Sequence, residues 1–295
     1  MGGNASGWKI YGNYFHDLTC TNAIGCNNQQ HVIYITHRHW DTKTVPLASV
    51  DIGWNRFYNN TARFAIHFYD EHACGKITSG SKVHDNYIQD QDAYGIGFVA
   101  GCSTGYTWDV GTVDVYNNVC VNCGLNRGGF SRNYTAAVEV KGASLHGTLN
   151  FYNNTIYQYA RSSQYTSCST DSTGGFCAGF LNDTAPHITT NWVNNIIVDT
   201  AGYNFYYAFN GNNPVAHSNN LYYYIGGSES PPPWDTSSIN RDPRFVDPTG
   251  GDFSLRSDSL ALGAGCGTGL VARDFLGNLR PTPPAIGAFE SSSSP

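Results

Sequence analysis

The chain has 295 residues, a formal net charge of −6, and only 13% charged against 40% hydrophobic residues. That is apolar material for a sizeable core, and low charge with abundant Gly, Asn, Tyr, Ser and Thr favours turns and strands over helices, whose exposed faces carry Glu, Lys and Arg. No basic grouping exceeds His37-Arg38-His39, and no apolar run is long enough to span a bilayer, so nucleic-acid binding and membrane insertion are not expected.

The first residues, MGGNASGWKI, contain no apolar leader core, so the chain is expected to begin mature or to be cut from something longer. From Trp8 onward a pattern recurs: an apolar-x-apolar strand reaching an Asn. WKIYGNYF gives Asn13, VDIGWNRF Asn55, SKVHDNYI Asn86, VDVYNNVC Asn118, LNFYNNTI Asn154, TNWVNNII Asn195 and VAHSNNLY Asn220. The intervals run from 25 to 42 residues, which is an internal repeat with loops of variable length. Each unit consists of short alternating strands that cannot close a core alone but can when stacked on copies of itself. Asn suits a bend because it tolerates left-handed backbone, and its amide can bond to the equivalent Asn one coil away. The expected fold is therefore all-β, a single-stranded parallel β-helix over residues 1–240; unrelated turns in a β-sandwich are the competing reading. The first coil already begins at Trp8, so earlier coils, with any site residues they carry, are expected to precede it.

A second strand follows each corner: VIYITH (32–37), AIHFYD (65–70), GIGFVA (95–100), AVEVKG (137–142) and, more loosely, CAGFLN (177–182). Ile33/Ile35, Ile66/Phe68, Ile96/Phe98 and Val138/Val140 are expected to point inward. The outward file then reads Tyr34, His67, Gly97, Glu139, Gly179, and the next Thr36, Tyr69, Val99, Lys141, Leu181. Nine cysteines favour an oxidising, extracellular setting. Cys20/Cys26 and Cys168/Cys177 flank short loops, Cys74 and Cys102 are placed to bridge neighbouring coils, and Cys120-x-x-Cys123 has the spacing of half a zinc ribbon. Asp90-Gln91-Asp92 reads as turn chemistry or as a calcium site.

The end of the chain carries no Asn corner. Asp242-Pro243-Arg244-Phe245, Gly251-Asp252-Phe253-Ser254-Leu255, Ser259-Leu260-Ala261, Arg280-Pro281 and Ile286-Gly287-Ala288-Phe289-Glu290 resemble the ending of secreted right-handed parallel β-helix proteins of the pectate-lyase-like superfamily. With the HVIY and YNNTIY segments the resemblance covers most of the chain. It implies a right-handed coil, an irregular segment 241–290 that caps the last coil, and a tail at 291–295. It also implies action on a long polysaccharide in a groove across outward strand faces. The superfamily hosts lyases, hydrolases, epimerases and non-enzymes, so activity must come from the site.

Gly97 lowers the floor between His67 and Glu139, which lie two coils apart, about 10 Å at the backbone. The expected catalytic set is His67, Glu139, Lys141, Asp70 and Tyr34. Tyr69, Arg38, Trp40, His72 and Glu71 are expected to bind substrate. His37, His39 and His72 with Asp41 also suit a metal, and Lys76 joins the rim. Elimination needs a cation to neutralise a uronate and a base to take the C5 proton; Lys141, His67, Tyr34 and Arg38 suit those roles. Hydrolysis needs two carboxylates, Glu139 with Asp70. The mix of cations and Tyr with few acids favours elimination. Against both stand plainer readings: His67 as an ordinary surface residue, Glu139 and Lys141 as a solvated pair, and the chain as a carbohydrate-binding, adhesin or fibre module. The expected partner is a polysaccharide, met by a monomer; calcium is the one cofactor suggested.

Overall fold

The computed structural model describes residues 7–19, 30–36, 48–72, 75–77, 79–125, 135–157, 177–183, 185–199, 204–208, 213–227, 230–267, 269 and 271–291. Coil one contributes β1 (Lys9–Tyr11), β2 (Tyr14–His16) and β3 (His31–Ile35). Coil two has β4 (Asp51–Gly53), β5 (Arg56–Asn60) and β6 (Phe64–His72), and coil three β7 (Ser81–His84), β8 (Tyr87–Gln91) and β9 (Tyr94–Cys102). Coil four has β10 (Trp108–Tyr116), β11 (Val119–Cys123) and β12 (Thr135–Lys141), and coil five β13 (Leu145–Tyr152), β14 (Thr155–Tyr157) and β15 (Cys177–Asp183). Coil six has β16 (Ile188–Val193), β17 (Ile196–Asp199) and β18 (Asn204–Ala208). β19 (Ala216–Ser218), β20 (Leu221–Tyr224) and β21 (Ile239–Asn240) follow, then β22 (Phe245–Asp247) and β23 (Asp252–Leu255).

Every third strand pairs in parallel with its equivalent one coil on. Sheet A runs β1-β4-β7-β10-β13-β16-β19, sheet B runs β2-β5-β8-β11-β14-β17-β20-β21, and sheet C runs β3-β6-β9-β12-β15-β18. The chain is all-β, with stacked parallel strands in three long sheets, as in a parallel β-solenoid. Among the described residues there is no helix, and so none long and apolar enough to cross a membrane.

The corner between sheets A and B explains the Asn-Asn spelling. The second Asn of each pair turns inward and stacks. Asn13 Nδ2 donates to Asn55 Oδ1 at 2.9 Å, Asn55 to Asn86 at 3.0 Å, and Asn86 to Asn118 at 2.9 Å. Asn118 donates to Asn154 and Asn154 to Asn195, both at 3.0 Å, and Asn195 to Asn220 at 3.2 Å. Asp235 ends the row, accepting from Asn220 Nδ2 at 2.8 Å. Each Oδ1 also accepts a backbone N–H from the coil before, as Asn118 Oδ1 does from Asn86. The second amide hydrogen goes to a carbonyl of that same preceding coil, Asn118 to Val83. The first Asn of the pair takes the left-handed backbone: φ is +53° at Asn117 and Asn153, +58° at Asn194 and +52° at Asn219. Asn reaches that region at little cost. A shorter row of the same kind marks the corner between sheets B and C, where Asn59 bonds Asp17 and Asn122 bonds Asp90. Asp90-Gln91-Asp92 lies at this corner, the first two residues ending β8 with Asp90 in left-handed backbone (φ +54°) and Asp92 in the bend.

The interior holds Ile33, Ile35, Ile66, Phe68, Ile96, Phe98, Val138 and Val140, as the alternation predicts, with Phe151, Phe180 and Trp192 from later coils. Cys120 and Cys123 are buried there and joined as a disulfide, so the zinc reading of this pair is wrong. Cys102 is also disulfide-bonded, and among the described residues Cys266 is free. Cys20, Cys26, Cys74 and Cys168, and the side chain of Cys177, lie outside the described residues.

The segment after β21 packs along the flank of the stack. Phe245, Phe253, Leu255, Ala261, Ala285, Ile286 and Phe289 bury against Val119, Val121, Tyr157, Ile196, Val198 and Leu221 on the outer face of sheet B. The first Asn of each pair holds this segment by its backbone: Asn117 to Arg273, Asn153 to Ala285, Asn194 to Cys266 and Asn219 to Ala264. Arg280 bonds Asn117 Oδ1 at 2.9 Å and pairs with Glu290 at 2.7 Å in a nearly sealed site. Asn117 thereby ties Asn-Asn to Arg-Pro and to the final Glu.

Asn118→Ala is expected to cost about 2–4 kcal/mol in urea unfolding, because it leaves several buried donors and acceptors unmet, whereas exposed Asn13→Ala costs under about 1 kcal/mol. Arg280→Met strands the buried Glu290 carboxylate and costs about 3 kcal/mol or more; adding Glu290→Leu recovers part of that loss.

Candidate functional site

Sheet C carries the predicted file in the predicted order for four coils. Tyr34 pairs with His67, His67 with Gly97, and Gly97 with Glu139. The fifth member differs: Glu139 pairs with Leu181, not Gly179, and Lys141 with Asp183, not Leu181. A slip of two residues keeps the inside/outside alternation, so apolar pairs alone cannot distinguish the two registers. The second file therefore reads Tyr69, Val99, Lys141, Asp183.

The file is not an open groove. His67 is 3% exposed and Glu139 fully buried. The Phe64 ring stacks on the His67 imidazole, 3.8 Å between centroids and 2° between planes, and Tyr94 stacks on Phe64 at 4.6 Å. A Cβ on Gly97 would overlap the Phe64 ring, so the lowered floor is filled by the protein's own side chain. Phe64, Tyr94, Ala136, Ala178 and Leu181 form an apolar cluster on the outside of the sheet. Arg63 lies across both rings, 5.2 Å from the Phe64 centroid and 5.7 Å from that of Tyr94. Phe64, Tyr94 and Ala136 each stand one residue before the alternating segment of their strand, and Ala178 and Leu181 lie within theirs.

Within this shell several polar atoms lack partners. His67 Nδ1 faces His31 Nε2 at 3.4 Å, but His67 Nε2 and both carboxyl oxygens of Glu139 are buried with no hydrogen-bond partner. The Tyr94 hydroxyl lies beside Glu139 without closing a well-formed bond. Burial pushes the Glu139 carboxyl above the usual range, opposed by the Arg63 and Lys141 charges. Burial also pushes His31 down to about 3, with Arg63 adding to it, and His67 well below its ordinary value, with His31 and Arg63 adding. The cluster thus holds neutral imidazoles and a carboxyl that resists ionisation.

At the margin, Tyr34 stacks on His31 at 5.1 Å and lies 6.2 Å from Tyr69. Lys141 pairs with Asp183, so the solvated Glu139–Lys141 pair is not what the structure contains. Asp70 follows Ile66 and Phe68 in alternation, on the face of β6 opposite His67. It is buried and accepts from Gly75 N at 3.2 Å. The two carboxylates expected for hydrolysis therefore do not share a face. Glu71 and His72 pair in the strand with Gly101 and Cys102, and their side chains are outside the described set. Arg38, Trp40, His37, His39 and Asp41 lie outside the described residues. Lys76 is an exposed partner of Asp109 at 3.3 Å. Among the described residues no group of three or more His, Cys, Asp or Glu is arranged to hold a metal.

His31, Arg63, Phe64 and Tyr94 were missed by the sequence reading. Their one signal is position: each lies at or just before the start of a sheet C strand whose core residues the alternation identifies. A contrasting cluster on sheet A shows what a satisfied histidine looks like. His84 bonds Asp51 at 2.8 Å and Asp85 at 2.7 Å, with Tyr116 stacked on it at 5.0 Å. Both its nitrogens are used, whereas His67 keeps one unused.

No protein-family model matches the chain, and no curated protein matches it.

The two histidines bind protons less readily folded than unfolded, so their contribution to stability is full above pH 6.5 and falls as the pH drops toward about 3. Glu139 acts oppositely: its contribution is full below pH 4.5 and is lost as the pH rises through its folded value. Urea unfolding from pH 6.5 to 4.5 is expected to show stability falling with pH, His31 alone contributing up to about 1.4 kcal/mol per pH unit and His67 acting in the same direction. The double variant His31→Phe/His67→Phe flattens that limb; an unchanged slope would place its origin elsewhere.

Proposed function

We propose that this chain is a secreted, right-handed parallel β-helix of the pectate-lyase-like kind that binds an acidic polysaccharide along the outer face of sheet C and cleaves it by β-elimination. The near-universal hand of parallel crossovers supports the right-handed reading. The buried Cys120–Cys123 disulfide is consistent with an extracellular setting.

One observation carries the catalytic reading. Glu139 and His67 keep unpaired polar atoms in a fully buried position on one sheet face. Such atoms cost about 1–3 kcal/mol each and persist where chemistry needs them. In the proposed reaction Arg63 and Lys141 lie against the uronate carboxylate and raise the acidity of the C5 proton. With the Phe64 ring swung off it, the neutral His67 imidazole, backed by His31, takes that proton. The electron pair forms the C4=C5 double bond and the C4–O bond breaks. Glu139, whose protonated form burial favours, delivers a proton to the departing oxygen. Tyr34 and Tyr69 offer planar faces to the sugar rings. Hydrolysis is disfavoured because Asp70 faces away from Glu139.

A second reading, a non-catalytic carbohydrate-binding module, is favoured by the Phe64 ring over Gly97, between His67 and Glu139. Uronate-containing and neutral glycans, followed for ultraviolet absorbance and for reducing ends, separate the readings. Elimination yields both signals, and Glu139→Gln or His67→Ala lowers kcat by about 100-fold or more with the fold intact. Reducing ends without absorbance mean hydrolysis; neither signal across the panel means a binding module.

A further inference from the structure

The outward positions of sheet B change character along the stack. In later coils they are Val119, Val121, Tyr157, Ile196, Val198 and Leu221, all covered by the C-terminal flank. In the first three coils they are Tyr14, His16, Arg56, Tyr58, Tyr87 and Gln89, which stack in two files by the strand register. Of these the flank cluster reaches Tyr87, with Phe253 and Phe275 at 6.5 and 6.3 Å from its ring. The edge of the flank, the 248–252 turn and Phe275-Leu276, forms one wall of a groove of about 870 Å³. The floor is Arg56, Tyr87, Gln89 and Asn122, and Trp54 stands at the corner with sheet A.

The polar groups here are set for a ligand. Arg56 is exposed, and its guanidinium lies over the Tyr87 ring, 5.3 Å from the centroid, with no carboxylate among the described residues paired to it. Asn122 Oδ1 is buried and accepts no hydrogen bond. The Trp54 indole is 56% exposed and held edge-on by Tyr11 and His84, at 5.0 and 4.6 Å. An exposed, braced indole, a cation resting on a tyrosine ring, amide groups, and the Asp85 and Asp252 carboxylates of the same lining match the alternating faces, carboxylates and hydroxyls of a sugar chain. An apolar protein partner would call for the Val and Ile that the later coils carry instead.

We propose that this groove is a second glycan-binding site, separate from sheet C, which holds a uronate-bearing oligosaccharide with Arg56 on a carboxylate and Trp54 and Tyr87 against the rings. It does not depend on cleavage at sheet C.

The test uses the full chain with uronate hexasaccharides and, as comparison, neutral glucan hexasaccharides, read by calorimetry and by tryptophan fluorescence. Arg56→Gln is expected to weaken uronate binding by about tenfold or more, a charge-assisted contact being worth at least that. Trp54→Ala removes the fluorescence change, and Tyr87→Phe, which keeps the ring, has a smaller effect. Lys141→Ala at sheet C leaves this binding in place, even if every activity assay is negative. The proposal is overturned if the Arg56 and Trp54 variants, shown folded by their thermal unfolding, bind as the wild type does. It is also overturned if the wild type binds no uronate oligosaccharide, or if Arg56→Glu converts a wild-type dimer to monomer in sedimentation, which would make the face a contact between copies.

Discussion

The asparagine ladder is the constraint on which the rest depends. Each coil differs in loop length and in most side chains, so nothing in the loops compels one coil to lie in register on the next. The ladder supplies that register at a single corner. Each inward amide from Asn55 to Asn195 accepts from the preceding coil and donates both to the next amide and to a carbonyl behind it. In the dry interior these bonds have no water to compete with, and an unmet amide would be costly, so a one-residue slip at the corner is strongly disfavoured. Once the corner is set, sheets A and B follow within a few residues on either side. Sheet C is farther along the chain, beyond a second turn, and there the register depends on side-chain packing as well.

That distance explains the character of the sheet C face. Its inner side is a regular stack of Ile, Val and Phe. Its outer side is sealed by a second apolar layer, with Phe64 and Tyr94 laid over the file that contains His67 and Glu139. Ionisable groups at such positions in a bare solenoid would be solvated and ordinary. Under aromatic rings they are desolvated, which favours the neutral forms of the imidazoles and of the carboxyl. The contrast with His84, clamped between two aspartates, is one of partner supply: both histidines are almost out of water, but only one has every nitrogen matched.

The flank segment divides sheet B in the same physical terms. Where Phe245, Phe253 and Phe289 settle, the strands present mostly Val, Ile and Leu; Tyr87 lies at the edge of that cover, and the earlier coils present Tyr, Arg and His. The left-handed first Asn of each pair presents its amide to the flank backbone, so the doublet serves two structures at once: one amide for the ladder, one for the covering chain. The Arg280–Glu290 pair, buried against Asn117, fixes where that cover ends.

Read alone, the sequence determined the repeat, the strand alternation, the Asn corner and the order Tyr34, His67, Gly97, Glu139. All of these are written in local spacing, because a strand's side chains alternate with period two and a left-handed corner selects Asn. It did not determine the fifth coil's place in the file, since a two-residue slip preserves that alternation and only pairing along β12 and β15 distinguishes Leu181 from Gly179. Nor did it show that Asp70 and Glu139 face opposite ways, that Lys141 belongs to Asp183, or that Phe64 fills the space over Gly97. Those are contacts between coils some thirty to forty residues apart, or between a strand and the ring that folds back over it. They arise from how close packing distributes volume and charge among neighbours that no local pattern names.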